Sequence, residues 1–183
     1  MVDKKSALIL FLEKSSEKIS KELDAQIRLT SLNSTVLDFW EKEWKVNSTR
    51  IPPNGGWDWR SHYLDFKRRK PKQLYSLAVW HGNVLCGMTI GYISKGPTHV
   101  RLDLIEGAPD ENHPLRGLVL RIIIDVSMNY AQLTRKEKLI IANPVPDLID
   151  LYQRRGFTYI PEKKSFFGTH EDFCVKEVCY DGL

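Results

Sequence analysis

The chain has 183 residues, of which 42% are hydrophobic, 27% charged and 10% aromatic, a size and mixture that fit one compact domain. Nine Pro and eleven Gly, with no Ser, Gln or Pro tract and no internal repeat, exclude a disordered or fibrous class. Twenty-seven Lys and Arg against twenty-three Asp and Glu leave a formal charge of +4, too small to imply nucleic acid by itself.

Residues 3–22 are expected to form a helix, because Leu8, Ile9, Leu10 and Leu12 begin an apolar face that Ile19 and Leu23 continue. The run Ala7 to Leu12 falls far short of the roughly 20 residues a membrane helix needs, so no membrane association is expected. Lys4 and Lys5 precede it as in a secretory signal, but Glu13, Lys14, Glu17 and Lys18 stand where a small-residue cleavage site should lie. The expectation is a cytoplasmic protein whose residues 1–24 form a helical extension, an added docking or homodimer element. Cys86, Cys174 and Cys179 are odd in number and lack the paired spacing of a zinc site, which predicts buried reduced thiols and no metal.

Gln26 to Leu32 reads as a first strand, after which Asn33 or Ser34 caps a helix near Thr35 to Lys45, with Val36, Leu37, Trp40 and Trp44 on one stripe. Ile51-Pro-Pro-Asn-Gly-Gly56 breaks the chain. A helix near Trp57 to Lys70 follows, stopped by Pro71.

From Leu74 the period becomes that of strands. Leu74 to Trp80 and Val84 to Ser94 flank His81-Gly82-Asn83 as a hairpin, and Val100 to Glu106 alternates apolar with mixed residues. The loop Gly107 to Arg116 leads to a helix near Gly117 to Gln132, then a strand Lys138 to Ala142 and a helix Pro146 to Arg154 closed by Gly156. Phe157 to Ile160 and Phe173 to Val178, separated by a polar loop, complete an α+β fold with a mixed, mostly antiparallel sheet flanked by helices.

This order, with Tyr152-Gln-Arg-Arg-Gly156-Phe157 after a short helix and Arg116-Gly117 at the start of the preceding one, resembles the GNAT superfamily of acyl-CoA-dependent N-acyltransferases. The resemblance spans about residues 26–183 and implies an acyltransferase domain over 25–183 that moves an acetyl group from acetyl-CoA, its co-substrate, to a primary amine by direct attack.

Within that resemblance the loop entering residue 117 is the expected diphosphate cradle, since a helix N-terminus offers unpaired N–H groups and positive potential. Arg116, Gly117, Leu118 and Val119 are its candidate cofactor-binding residues. Backbone groups of Leu104, Ile105 and Glu106 are expected to pair with the pantetheine arm and polarise the thioester carbonyl. The family pattern is Gln or Arg, two variable residues, Gly, one variable residue, then Gly or Ala, whereas the chain has Pro114-Leu115-Arg116-Gly117-Leu118-Val119. Pro114 has no N–H to give and Val119 is bulky, so both are expected to weaken the cradle, with His113 available to compensate.

Tyr152 matches the position of the family's general acid, a phenol that protonates the leaving thiolate. Asp103, by ungapped counting, falls where the histone-acetyltransferase branch carries a general base; Glu106, at the strand's end, is the other candidate. Phe39, Trp40, Trp44, Trp57, Trp59 and Tyr63 occupy the helices that in this family wall the acceptor cleft; a core stripe is the simpler account, with Trp57 and Trp59 on a mobile lid as the other, and Asp58 placed to steer a cation. Lys67-Arg68-Arg69-Lys70 with Lys72 is the only basic run. It either complements the C-terminal end of its helix or forms a phosphate patch for an aminoacyl-tRNA. A small-molecule or peptide amine is the favoured acceptor, and a non-catalytic scaffold of the same fold is the alternative to an enzyme.

Overall fold

The computed structural model describes residues 4–164 and 170–180. Seven strands form one sheet in the order β1-β2-β3-β4-β5-β7-β6: β1 (Ile27–Thr30), β2 (Leu74–His81), β3 (Val84–Ile93), β4 (His99–Gly107), β5 (Lys138–Ala142), β6 (Thr158–Lys164) and β7 (His170–Glu177). All neighbours are antiparallel except β4 and β5. The helices are α1 (Lys4–Leu23), α2 (Ser34–Trp40), α3 (Trp59–Arg69), α4 (Val119–Leu133) and α5 (Ile149–Arg154), the last entered through a 3₁₀ turn, Pro146–Leu148. Asp3 of the expected first helix and residues 165–169 of the expected polar loop lie outside the described residues.

The sheet divides two cores. On one face α1, α4 and α5 cover Tyr75, Leu77, Val79, Val100, Leu102, Leu139 and Ile141, with Leu12 of α1, 2% exposed, sharing that core with Ile123, Val126 and Tyr130 of α4. The N-terminal extension is therefore bound into the same apolar cluster. On the other face α2 and α3 bring Val36, Leu37, Trp40, Trp59 and Phe66 onto Ala78, Trp80, Met88 and Ile90. Strand alternation produces this division, because odd positions of β2 face α4 and even ones face α2 and α3.

The expected helix Thr35 to Lys45 is capped by Asn33, whose side chain accepts from the Val36 N–H, and it widens into a π-helical turn over Glu41–Lys45. Trp44, within that turn, is buried, and its indole Nε1 donates to the Leu85 carbonyl of β3 at 3.3 Å. Two of the three thiols, Cys86 and Cys174, are buried as expected; Cys179 is exposed, because it follows the end of β7. No helix among the described residues is long and apolar enough to cross a membrane.

Candidate active-site cleft

The parallel pair defines the site. β4 and β5 pair only from His99↔Lys138 to Leu102↔Ile141; beyond this β5 stays with β7, through Ala142↔Phe173 and the Asn143 N–H on the Asp172 carbonyl. β4 instead continues to Gly107 paired with β3 alone. The edge of β4 facing β5 over residues 103–107 is thus left without a strand partner, and the sheet opens into a V. The opening coincides with a bulge: Ile90 pairs with Leu104 and Gly91 with Leu102, so Asp103 is the extra residue. Gly91 is required there, since a Cβ would lie 2.0 Å from the Arg101 carbonyl oxygen.

The V leads to the loop before α4. Gly117 has φ +78° and a Cβ there would meet no atom within 4 Å, so the backbone lies open at that point. The Leu118 and Val119 N–H groups turn back to the Leu115 carbonyl, and that of Ile122 to the Leu118 carbonyl. The N–H groups of Gly117, Leu120 and Arg121 donate to no acceptor among the described residues, which leaves three amides free at the start of a fifteen-residue helix. These residues fit a diphosphate.

The two departures from the family pattern act differently from expectation. Val119 does not crowd the loop: it is 7% exposed and turned into the core, where its Cγ1 would lie 2.1 Å from a Cβ on Gly87. Gly87 of β3, having no side chain, makes the room that the Val119 side chain occupies. Pro114 lies ahead of the free amides and withdraws no donor from them. Gly87→Ala is accordingly expected to destabilise the fold by about 2 kcal/mol through overpacking, and Val119→Ala to recover most of that loss in the double variant; equal melting temperatures for wild type and Gly87→Ala would contradict the packing account. Arg116 is exposed and engaged with Glu111, through its carbonyl at 3.1 Å and its carboxylate at 3.6 Å.

The candidate carboxylates separate. Asp103 shares the α2/α3 face with Arg101, whose Nε donates to Asp103 Oδ1 at 2.8 Å while its two terminal nitrogens hold Glu171 of β7 at 3.1 and 3.0 Å. Arg101 thus ties β4 to β7 across the mouth of the V, packed near the rings of Tyr92 and Phe173. Asp103 Oδ2 is buried with no hydrogen-bond partner among the described residues. Burial raises the Asp103 pKa, although Arg101 opposes it; Glu171 is shifted down by its bonds to Arg101.

Glu106 is 5% exposed and fully occupied. Its Oε1 accepts from the Gly56 N–H at 2.7 Å and its Oε2 from the Trp59 indole at 2.6 Å. Arg50, which no sequence signal singled out, approaches Oε1 at 4.0 Å and donates to the Gly107 and Ala108 carbonyls. Glu106 and Arg50 together fasten the α2–α3 loop to the end of β4. Trp59 is therefore a core residue, fully buried and hydrogen-bonded, and does not sit on a lid; Trp57 is half-buried. Asp58 caps α3 by accepting from the Ser61 N–H at 2.9 Å.

Tyr152 of α5 is 3% exposed, edge-on to Phe157 at 6.0 Å, in the α4-side core. Its hydroxyl forms no hydrogen bond among the described residues. Burial, with Cys174 nearby, pushes its pKa up to about 12. Gly156, at φ +83°, closes α5 as the sequence indicates, its N–H on the Gln153 carbonyl and that of Phe157 on the Tyr152 carbonyl. Of the basic run, Arg68 and Arg69 are both spent on Asp65, while Lys67 lies over Tyr63 and Lys70 over Tyr92.

No family model matches this sequence, and no curated protein matches it. Solved structures do. Ard1 from Thermoplasma volcanium matches with a TM-score of 0.57 at 13% identity, over 84% of this chain and 99% of that one. The ribosomal-protein-S18-alanine N-acetyltransferase from Escherichia coli gives 0.60 at 13% over 85% and 96%, and a spermidine N-acetyltransferase chimera from Vibrio cholerae and hSSAT gives 0.61 at 15% over 84% and 96%. These similarities establish that this chain has the GNAT N-acetyltransferase fold.

Proposed function

We propose that the protein is an N-acetyltransferase that takes an acetyl group from acetyl-CoA and passes it to a primary amine by direct attack. The observation that carries this reading is the conjunction of an unpaired β4 edge with three free amides at the start of α4. The free N–H groups of Gly117, Leu120 and Arg121, reinforced by the α4 dipole, would hold the diphosphate; the β4 backbone from Leu104 to Glu106 would receive the pantetheine arm and polarise the carbonyl. Acetyl-CoA supplies the activated acyl group as a thioester.

The chain's own side chains then divide the proton work. Asp103 is the favoured base, because Oδ2 is unpaired and burial makes the carboxylate more basic than usual. Glu106, both oxygens committed to the loop, is better suited to positioning. Tyr152 is the favoured acid, its hydroxyl protonated at all physiological pH and without a competing partner among the described residues. A small molecule or peptide carrying a primary amine suits this cleft. The structural neighbours act on a ribosomal protein alanine and on spermidine, and both are amines. An aminoacyl-tRNA acceptor is less favoured, since two cations of the basic run are tied to Asp65.

A panel of polyamines and amino-terminal peptides, incubated with acetyl-CoA and assayed for free thiol, tests the activity; no amine-dependent thiol release would count against it. The pH dependence is specific. Turnover should rise with pH through a midpoint above the ordinary Asp value of about 3.9, because the neutral form of Asp103 is favoured by burial and must be lost before it can accept a proton. No descending limb from Tyr152 should appear below about pH 11, one unit under its raised pKa of about 12. Asp103→Asn should remove the acidic limb and lower turnover at least tenfold; an unchanged profile would reassign the base to water.

A further inference from the structure

Helix α1 ends at Leu23, the chain turns at Asp24 with φ +48°, and β1 begins at Ile27, so α1 is folded back along β1, the outermost strand of the sheet. Backbone groups of a strand point alternately to its two sides. The Gln26 carbonyl accepts the Gly82 N–H on the β2 side, which leaves the N–H and C=O groups of Ile27 and Leu29 facing outward. Such an edge is a template for another strand. Two hydroxyls of α1 meet it instead. Ser20 Oγ accepts the Ile27 N–H and donates to the Ile27 carbonyl, both at 3.0 Å, and Ser16 Oγ accepts the Leu29 N–H at 2.9 Å.

The fit is one of repeat lengths. Serines four apart share a helix face and are about 6 Å apart along the axis, while Ile27 and Leu29 are about 6.6 Å apart along an extended strand, so successive hydroxyls reach successive outward amides. The Ser16 O–H donates back to the Leu12 carbonyl at 2.7 Å, which turns an oxygen lone pair toward Leu29. The Ile27 N–H is shared with the Ala25 carbonyl at 2.9 Å, whereas the Leu29 N–H has the Ser16 hydroxyl as its one acceptor among the described residues. On its other side the second half of α1 is loosely seated, with a cavity of about 320 Å³ between Ser15, Ile19 and Leu23 and the α4 residues Ile122, Asp125 and Met128. Its attachment to β1 is by contrast direct.

We infer that α1 is an edge guard: through Ser16 and Ser20 it stands where a further strand would pair, and it keeps β1 from adding the β1 of a second copy of this chain. The inference does not depend on the proposed activity, and it gives the N-terminal helix a role opposite to docking. Two copies related by a twofold axis at Arg28 would set Ile27 of each against Leu29 of the other. The outward groups would then exchange bonds in a closed, self-complementary pairing. Arg28, which is exposed, would face its own copy, and like charges directly opposite weaken a strand pair.

Amide hydrogen exchange and sedimentation velocity on the full chain test this. In Ser16→Ala/Ser20→Ala, exchange at Leu29 should rise at least tenfold while Arg28 and Thr30, paired with β2, keep their protection. The same variant should gain a dimerisation step at micromolar concentration that the wild-type chain lacks. Ser16→Thr/Ser20→Thr restores both hydroxyls and should return both readouts to wild-type values. Arg28→Thr added to the alanine pair should tighten the dimer at least threefold. Where the alanine pair fails to fold, Ser16→Ala alone, which strands the Leu29 N–H, carries the same readouts. Unchanged exchange at Leu29, no added association, a threonine pair that associates like the alanine pair, or a dimer indifferent to Arg28→Thr would each overturn the assignment.

Discussion

Tyr152→Phe is expected to lower turnover by about 100-fold or more while leaving the melting temperature unchanged. The two halves of this result have one cause. A tyrosine 3% exposed whose hydroxyl forms no hydrogen bond among the described residues gives the fold little through that hydroxyl, and the oxygen is not one of the fully buried polar atoms left without a partner, so its removal should leave stability unchanged. The ring, which packs on Phe157, is kept. A proton donor to the departing thiolate, by contrast, is worth roughly 10²–10⁴ in rate, and Phe cannot replace it. Acetyl-CoA affinity should change little, so the loss belongs in kcat. Wild-type turnover would show that water serves as the acid, and a large fall in melting temperature would show that the hydroxyl is structural.

Glu106→Ala is expected to produce the largest stability loss of any single carboxylate in the protein, about 3 kcal/mol, or roughly 6–12 °C in melting temperature for a chain of this size. The variant strands the Gly56 N–H and the fully buried Trp59 indole together. It also removes the anion beside Arg50 at 4.0 Å, which leaves the α2–α3 loop held by the Arg50 bonds to Gly107 and Ala108 alone. Glu106→Gln keeps one acceptor oxygen and should lose about half as much. Thermal unfolding of the two variants checks the ordering; a Glu106→Ala protein as stable as wild type would mean that the loop does not depend on this anchor.

The fold was largely legible from the sequence because its elements announce themselves by period. The change from helical spacing in Trp59, Tyr63 and Phe66 to alternation after Leu74, and the Gly82 and Gly156 signals, are local properties of the chain. The placement of the candidate site residues was legible only where it depends on local features. Gly117 at a helix start and Tyr152 one turn before Gly156 are short-range signals. The role of Glu106 was not, because its partners Gly56 and Trp59 are 50 and 47 residues away. Arg50 was missed for the same reason: its targets, Gly107 and Ala108, are backbone carbonyls 57 and 58 residues distant, and carbonyls leave no mark on composition. Val119 was misjudged because motif spacing sees the side chain's bulk but not Gly87, the partner on β3 that admits it. Asp103 was placed on the right strand by alternation, yet its pairing to Arg101 and, through it, to Glu171 of β7 depends on a bulge and a strand order that no window of sequence contains.

All of the chemistry depends on whether the opened β4 edge and the three free amides accept acyl-CoA. Amide-resolved NMR titration of the full chain with acetyl-CoA measures this directly, without knowledge of the amine. Saturation in the micromolar range, with the largest shifts at Gly117, Leu120, Arg121 and residues 104–107, is the predicted result. No shift at millimolar acetyl-CoA, or saturable shifts that leave those amides unmoved, would contradict it.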